Sequence, residues 1–146
     1  MKTWEWPGVL AFEYPDSWTV IVVDGTIEVE PPQQTSATHI SSYVRKESLP
    51  PTASEARDAV RTFVRGSVAD GLDIEAETRG QDVVASATYE VDRDGMPLLV
   101  DVRVLIARHR MVVSSITCEL AWPQDRARAV AIAESIRLVR AADAPT

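Results

Sequence analysis

The chain has 146 residues, of which 45% are hydrophobic and 25% charged, with a formal net charge of −7. That is the balance of a globular protein long enough to bury one core. The acidic surplus argues against nucleic acid and against an anionic membrane surface, because both need Lys and Arg in excess. The lone Cys118 excludes an internal disulfide and a cysteine-rich zinc site.

In chain order, "KTWEWPG" places Trp4 and Trp6 in a polar N-terminal arm, where two fates are open: packing back over a sheet, or anchoring a partner. "GVLAFEY" predicts a short strand with Phe12 and Tyr14 on one face. Pro15, with no N–H to give a ladder, ends it, and Pro15-Asp16-Ser17 has turn composition. Asp24-Gly25 between "WTVIVV" and "TIEVE" predicts a two-residue type I′ hairpin. Its register sets Val22 opposite Ile27 and Val20 opposite Val29, with Trp18 on the same face and Thr19, Glu28 and Glu30 on the other. After a Pro31-Pro32 loop, "THISSYVRK" alternates Ile40 and Val44 against His39, Tyr43 and Arg45, as a strand does.

Thr52 and Glu55 have capping-box spacing, each side chain expected to satisfy a free N–H of the first helical turn. Ala56, Ala59, Val60, Phe63, Val64 and Val68 then recur at helical spacing, and Gly71 is the expected stop. A short strand follows near "LDIEAET". The second Asp-Gly pair, Asp94-Gly95, predicts a long hairpin pairing Val91 with Leu98, Tyr89 with Val100, Ala87 with Val102, Ala85 with Val104 and Val83 with Ile106. The reverse face pairs Thr88 with Asp101 and Ser86 with Arg103. "MVVSSITCELA" predicts a third strand after a loop at Arg108-His109-Arg110, with Val112, Ile116 and Leu120 on the same inward face and Cys118 in the core. The last helix is expected to begin near Pro123 and to bury Ala129, Ile132, Ala133, Ile136 and Val139, with Trp122 stapling it to the sheet. "RAADAPT" reads as a fraying tail.

The order β-β-β-β-α-β-β-β-β-α predicts one α+β domain over 1–146, with its core at about 9–139. An antiparallel sheet of about six to eight strands packs with two main helices. With "FEYPDSW" and "YVRKESLPPTASEARDAV", this order resembles the PsbP-like and DcrB-like family over residues 9–139. That family includes a photosystem accessory protein, a yeast nuclear-transport factor that binds the GTPase Ran, bacterial lipoproteins and chaperones of type VI secretion effectors. The resemblance implies a sheet sandwiched between helices and a non-enzymatic domain that binds other proteins.

The residues themselves offer no catalytic, cofactor or metal site. His39 and His109 lack partners at ligand spacing, and there is no G-x-S-x-G, S-x-x-K or phosphate-cradling glycine loop. The polar reverse face of the meander, with Ser86, Thr88, Asp101, Arg103, Ser115 and Thr117, reads either as a recognition patch or as solvated cross-strand pairs. The candidate partner-binding residues are Trp4, Trp6, Tyr43, Ser86, Thr88, Asp101, Arg103 and Thr117. The expected function is a non-catalytic protein-binding module, an accessory or chaperone-like adaptor with no cofactor. The alternative is a small-molecule binder or enzyme with a site near the N-terminal aromatics. A homodimer along an edge strand containing Tyr43 is a further expectation. No leader pattern opens the chain and no apolar run spans a membrane, which predicts a cytoplasmic protein unless an export signal has been trimmed.

Overall fold

The computed structural model describes residues 1–46, 49–64 and 71–139. Among the described residues, ten strands and two helices run in the order β1 (Lys2–Trp6), β2 (Leu10–Tyr14), β3 (Thr19–Val23), β4 (Thr26–Glu30), β5 (Ser36–Val44), α1 (Ala53–Phe63), β6 (Glu75–Arg79), β7 (Asp82–Arg93), β8 (Met96–Ile106), β9 (Arg110–Glu119), α2 (Pro123–Ser135) and β10 (Arg137–Leu138). Seven strands form an antiparallel sheet in the order β3-β4-β5-β9-β8-β7-β6, and β1-β2-β10 form a small second sheet. The α+β sandwich expected from the sequence is the observed architecture.

Both Asp-Gly hairpins have the predicted register, Val22 facing Ile27 and Val91 facing Leu98. Asp94 and Gly95 have φ of 55° and 83°, the positive values that a type I′ turn demands at both central positions. The Asp92 carboxylate steadies the turn by accepting from the Gly95 N–H at 2.8 Å.

The register of β9 differs from the sequence expectation. The turn is shorter by one residue, Arg108-His109 alone, with the Ala107 N–H donating to the Arg110 carbonyl at 2.9 Å and Met111 facing Ile106. A one-residue change sends every side chain to the other face. Val113, Ser115 and Thr117 therefore join Val104, Val102 and Val100, while Val112, Ser114, Ile116 and Cys118 join Leu105, Arg103, Asp101 and Leu99. The expected inward position of Leu120 also fails, as it is exposed beyond the strand.

The two faces carry separate cores on opposite halves of the large sheet. On one face α1 buries Ala56, Val60 and Val64 against Val83, Ala85, Val102 and Val104. On the other, α2 and the small sheet bury Ala129, Ile132, Leu10 and Phe12 against Ile27, Val29, Ile40, Val112, Ile116 and Cys118. Each helix thus leaves half of its sheet face open.

Several local expectations need correction. "KTWEW" is no loose arm but a strand paired with β2, Trp4 facing Phe12. The first helix ends at Phe63, where the extended Val64 gives its N–H to the Val60 carbonyl at 2.9 Å, so Gly71 is not its cap. Val68 lies outside the described residues. The last helix ends at Ser135, and the chain turns extended at Ile136 to give β10. Trp122 is exposed and touches the helix through its backbone, not as a staple. Only the Thr52 half of the capping box forms: its hydroxyl accepts from the Glu55 N–H at 3.1 Å, while the Glu55 carboxylate holds Arg45.

Candidate functional site

Strand alternation brings Ser86, Thr88, Asp101 and Arg103 to one face of β7 and β8, as expected. Thr88 donates to Asp101 at 2.8 Å. The face is neither fully open nor fully covered. Asp101 is 6% exposed, and the Arg103 side chain keeps 15% of its surface, while Thr88 stands in solvent. Arg103 reaches Glu134 of α2 at 3.6 Å. Its Nε is buried without an acceptor, as is the Nε of Arg126, and one buried oxygen of Asp101 has no donor.

Thr117 does not belong to this group. With the β9 register corrected, it points to the α1 side of the sheet. There it lines a broad open depression with His39 and Glu119. Trp4 lies flat on Phe12, with ring centroids 5.5 Å apart and planes 27° from parallel, and Phe12 meets Tyr14 at 6.1 Å. These aromatics close the core between the small sheet and α2. Trp6 is at the surface. Tyr43 packs on Phe63 of α1 at 5.9 Å.

The strand that holds Tyr43 is not an edge. β5 lies between β4 and β9, and the sheet ends at β3 and β6 instead. These two edges differ in kind. β6 presents Glu75, Glu77 and Arg79, charges that blunt a strand edge against unwanted pairing. β3, "TVIVV", has no charge and no proline, has no outer neighbour among the described residues, and exposes Ile21, Val22 and Val23 at 46%, 53% and 46%. Counting from the two-residue turn, alternation aims the N–H and C=O of Val20 and Val22 outward. The signal was present in the sequence: the same register that buries Val20 and Val29 puts Ile21 and Val23 among Thr26 and Glu28 on the polar side.

A second feature is a cleft of about 210 Å³ between the open half of the sheet and the α2–β10 corner. Arg79, Arg103 and Arg137 reach it from β6, β8 and β10. Sequence reasoning singled out only Arg103, because the other two come from elements that meet only in the folded chain.

No protein-family model matches the sequence, and no curated protein matches it either. Solved structures do. A protein of Bacteroides thetaiotaomicron VPI-5482 matches with a TM-score of 0.66 and 16% identity over 97% of this chain, which spans 49% of that one. The cyanobacterial PsbP (CyanoP) of Synechocystis sp. PCC 6803 gives 0.64 and 15% over 94% of this chain and 91% of its own. The fold is PsbP-like. LpqN, involved in cell envelope biogenesis of Mycobacterium tuberculosis, carries the PsbP-like likeness further, at 0.55 and 12% over 88% of this chain and 82% of its own. At such identities the likeness concerns the fold, and the site must be argued from this chain's residues. No described helix is long and apolar enough to cross a membrane.

Proposed function

We propose that this chain is a non-catalytic protein-binding module, an accessory or adaptor that receives a partner's extended segment along β3. The observation that carries the reading is the bare edge itself. Three consecutive large aliphatic residues stand exposed on the strand that ends the sheet, and the opposite edge is guarded by charge. An added strand would pair with the outward backbone of Val20 and Val22, and Ile21 and Val23 would cover its apolar side chains. Such pairing supplies affinity from main-chain hydrogen bonds and specificity from alternate side chains. The PsbP-like fold of CyanoP and LpqN fits an accessory role. The alternative site near Trp4 and Trp6 has less support, because Trp4 is stacked into the core edge.

The test compares cross-linked partners of the native protein with those of Val22→Pro. The substitution removes one outward N–H and leaves the inner ladder with β4 intact. Partners that vanish in a variant of unchanged melting temperature support the reading. An identical partner set in both proteins overturns it.

A further inference from the structure

We infer that the cleft at the α2–β10 corner binds a small amphiphilic carboxylate, its anionic head on Arg103 and its short apolar tail along Leu105, Ile136 and Leu138. This goes beyond protein binding at β3 and uses the opposite side of the molecule.

The head site follows from the sheet register. Arg103 lies between Ser86 and Ser114 on the neighbouring strands, all on the face that α2 half covers. Its guanidinium is mostly buried, yet Nε has no acceptor and the one ion pair is a long 3.6 Å contact to the exposed Glu134. A buried N–H of a charged group left without an acceptor is costly, and a carboxylate matches the guanidinium fork with two parallel hydrogen bonds. Arg79 and Arg137 stand at the same cleft. The carboxylates of Asp82 and Glu134 also line the cleft, so the head site rests on Arg103 and its unmet N–H and not on a net local charge. Arg79 also holds Glu77 through its Nε at 2.6 Å, so it serves at the rim, and Arg103 serves as the principal contact.

The tail site is the rest of the lining. Leu105 and Val112 form the sheet side, and Ala133, Ile136 and Leu138 the α2–β10 side. A volume of about 210 Å³ has room for several waters, and so for a small monocarboxylate of about six carbons. Nucleotides and larger cofactors need more room.

The test is a titration of the isotope-labelled full chain followed by amide NMR, with hexanoate, hexanol, hexylamine and inorganic phosphate. Hexanoate is expected to give saturable shifts at residues 103, 114 and 136–138. Hexanol should bind about tenfold or more weakly, the worth of a charge-assisted pair of hydrogen bonds. Hexylamine is expected not to compete. Arg103→Gln should weaken hexanoate by a similar factor, with folding checked by circular dichroism. Arg137→Gln, at an exposed position, should weaken it severalfold even if Arg103→Gln fails to fold. No saturable shift with hexanoate, equal binding of hexanol, phosphate binding as tightly as hexanoate, or unchanged affinity in Arg137→Gln would each overturn the proposal.

Discussion

The Arg45 guanidinium grips both carboxylate oxygens of Glu55, Nε at 2.8 Å and the adjacent terminal nitrogen at 2.7 Å. The same side chain donates to the Arg108 carbonyl at 2.9 Å, and the Arg45 N–H donates to the His109 carbonyl at 2.9 Å. One buried arginine thus joins the end of β5, the first turn of α1 and the β8–β9 turn. Arg45→Ala is expected to lower unfolding stability by about 2 kcal/mol, the range for charge-assisted hydrogen bonds to a partly exposed carboxylate. Arg45→Lys should recover less than half, because an ammonium cannot copy the fork. Urea titration of the three proteins checks both statements.

Thr35 and Asp125 form a second clamp, the hydroxyl donating to the carboxylate across ninety residues of sequence. Both are buried, and Arg128 holds the other oxygen of Asp125 at 3.3 Å. Thr35→Val keeps the shape and removes the donor, leaving a buried carboxylate oxygen without a partner. The expected cost is about 1–3 kcal/mol. Thr35→Ser should be milder, since it keeps the hydroxyl, and thermal melts of both variants make the comparison.

Stability should fall at alkaline pH. Burial pushes the Cys118 thiol up, with Asp125 and Glu119 adding to the rise and Arg126 opposing it. Burial likewise pushes the Tyr89 phenol up. The folded chain therefore holds both protons more tightly than the unfolded chain. Their contribution is complete below the ordinary thiol range and is lost as pH climbs past that range and the phenol range above it. Urea midpoints from pH 8 upward should decline, and the decline should be shallower in Cys118→Ala. A midpoint that is flat or rising over that interval would contradict the assignment. In the native state Cys118 should also react with a thiol reagent far more slowly than in urea.

The exposed edge makes a prediction about solution behaviour. Ile21→Lys places a charge on the open side of β3, a device natural edges use against self-pairing. It should change stability by less than about 1 kcal/mol, as surface substitutions do. Concentration-dependent light scattering should fall relative to the native chain, and equal scattering by both would show that β3 does not self-associate.

Legibility from the sequence followed the strength of local signals. Each Asp-Gly pair fixes a turn type and hence a register, so the two hairpins could be read residue by residue. β9 could not, because "MVVSSITC" has Val and Ser doublets that leave both faces mixed in either register. The length of the turn before it decided the outcome. β10 has only two residues and follows directly on a helical run, so its pairing with β2 is set by distant contacts that no local pattern announces. The arginine cleft was legible only in part for the same reason. Arg103 is marked by its strand, whereas Arg79 and Arg137 become neighbours only through the tertiary fold.

The small sheet stitches the first residues of the chain to the last described ones. The Glu13 N–H donates to Ser135 Oγ at 2.9 Å across 122 residues, and the Val139 N–H donates to the Val9 carbonyl at 3.0 Å. Leu10 and Phe12, made early, gain the last part of their cover only when α2 and β10 have been made. Synthesis from the N-terminus therefore leaves two large apolar side chains waiting through almost the whole length of the chain, and loop closure of this span is slow. Until α2 and β10 emerge, β2 carries an apolar face whose remaining cover lies more than a hundred residues downstream.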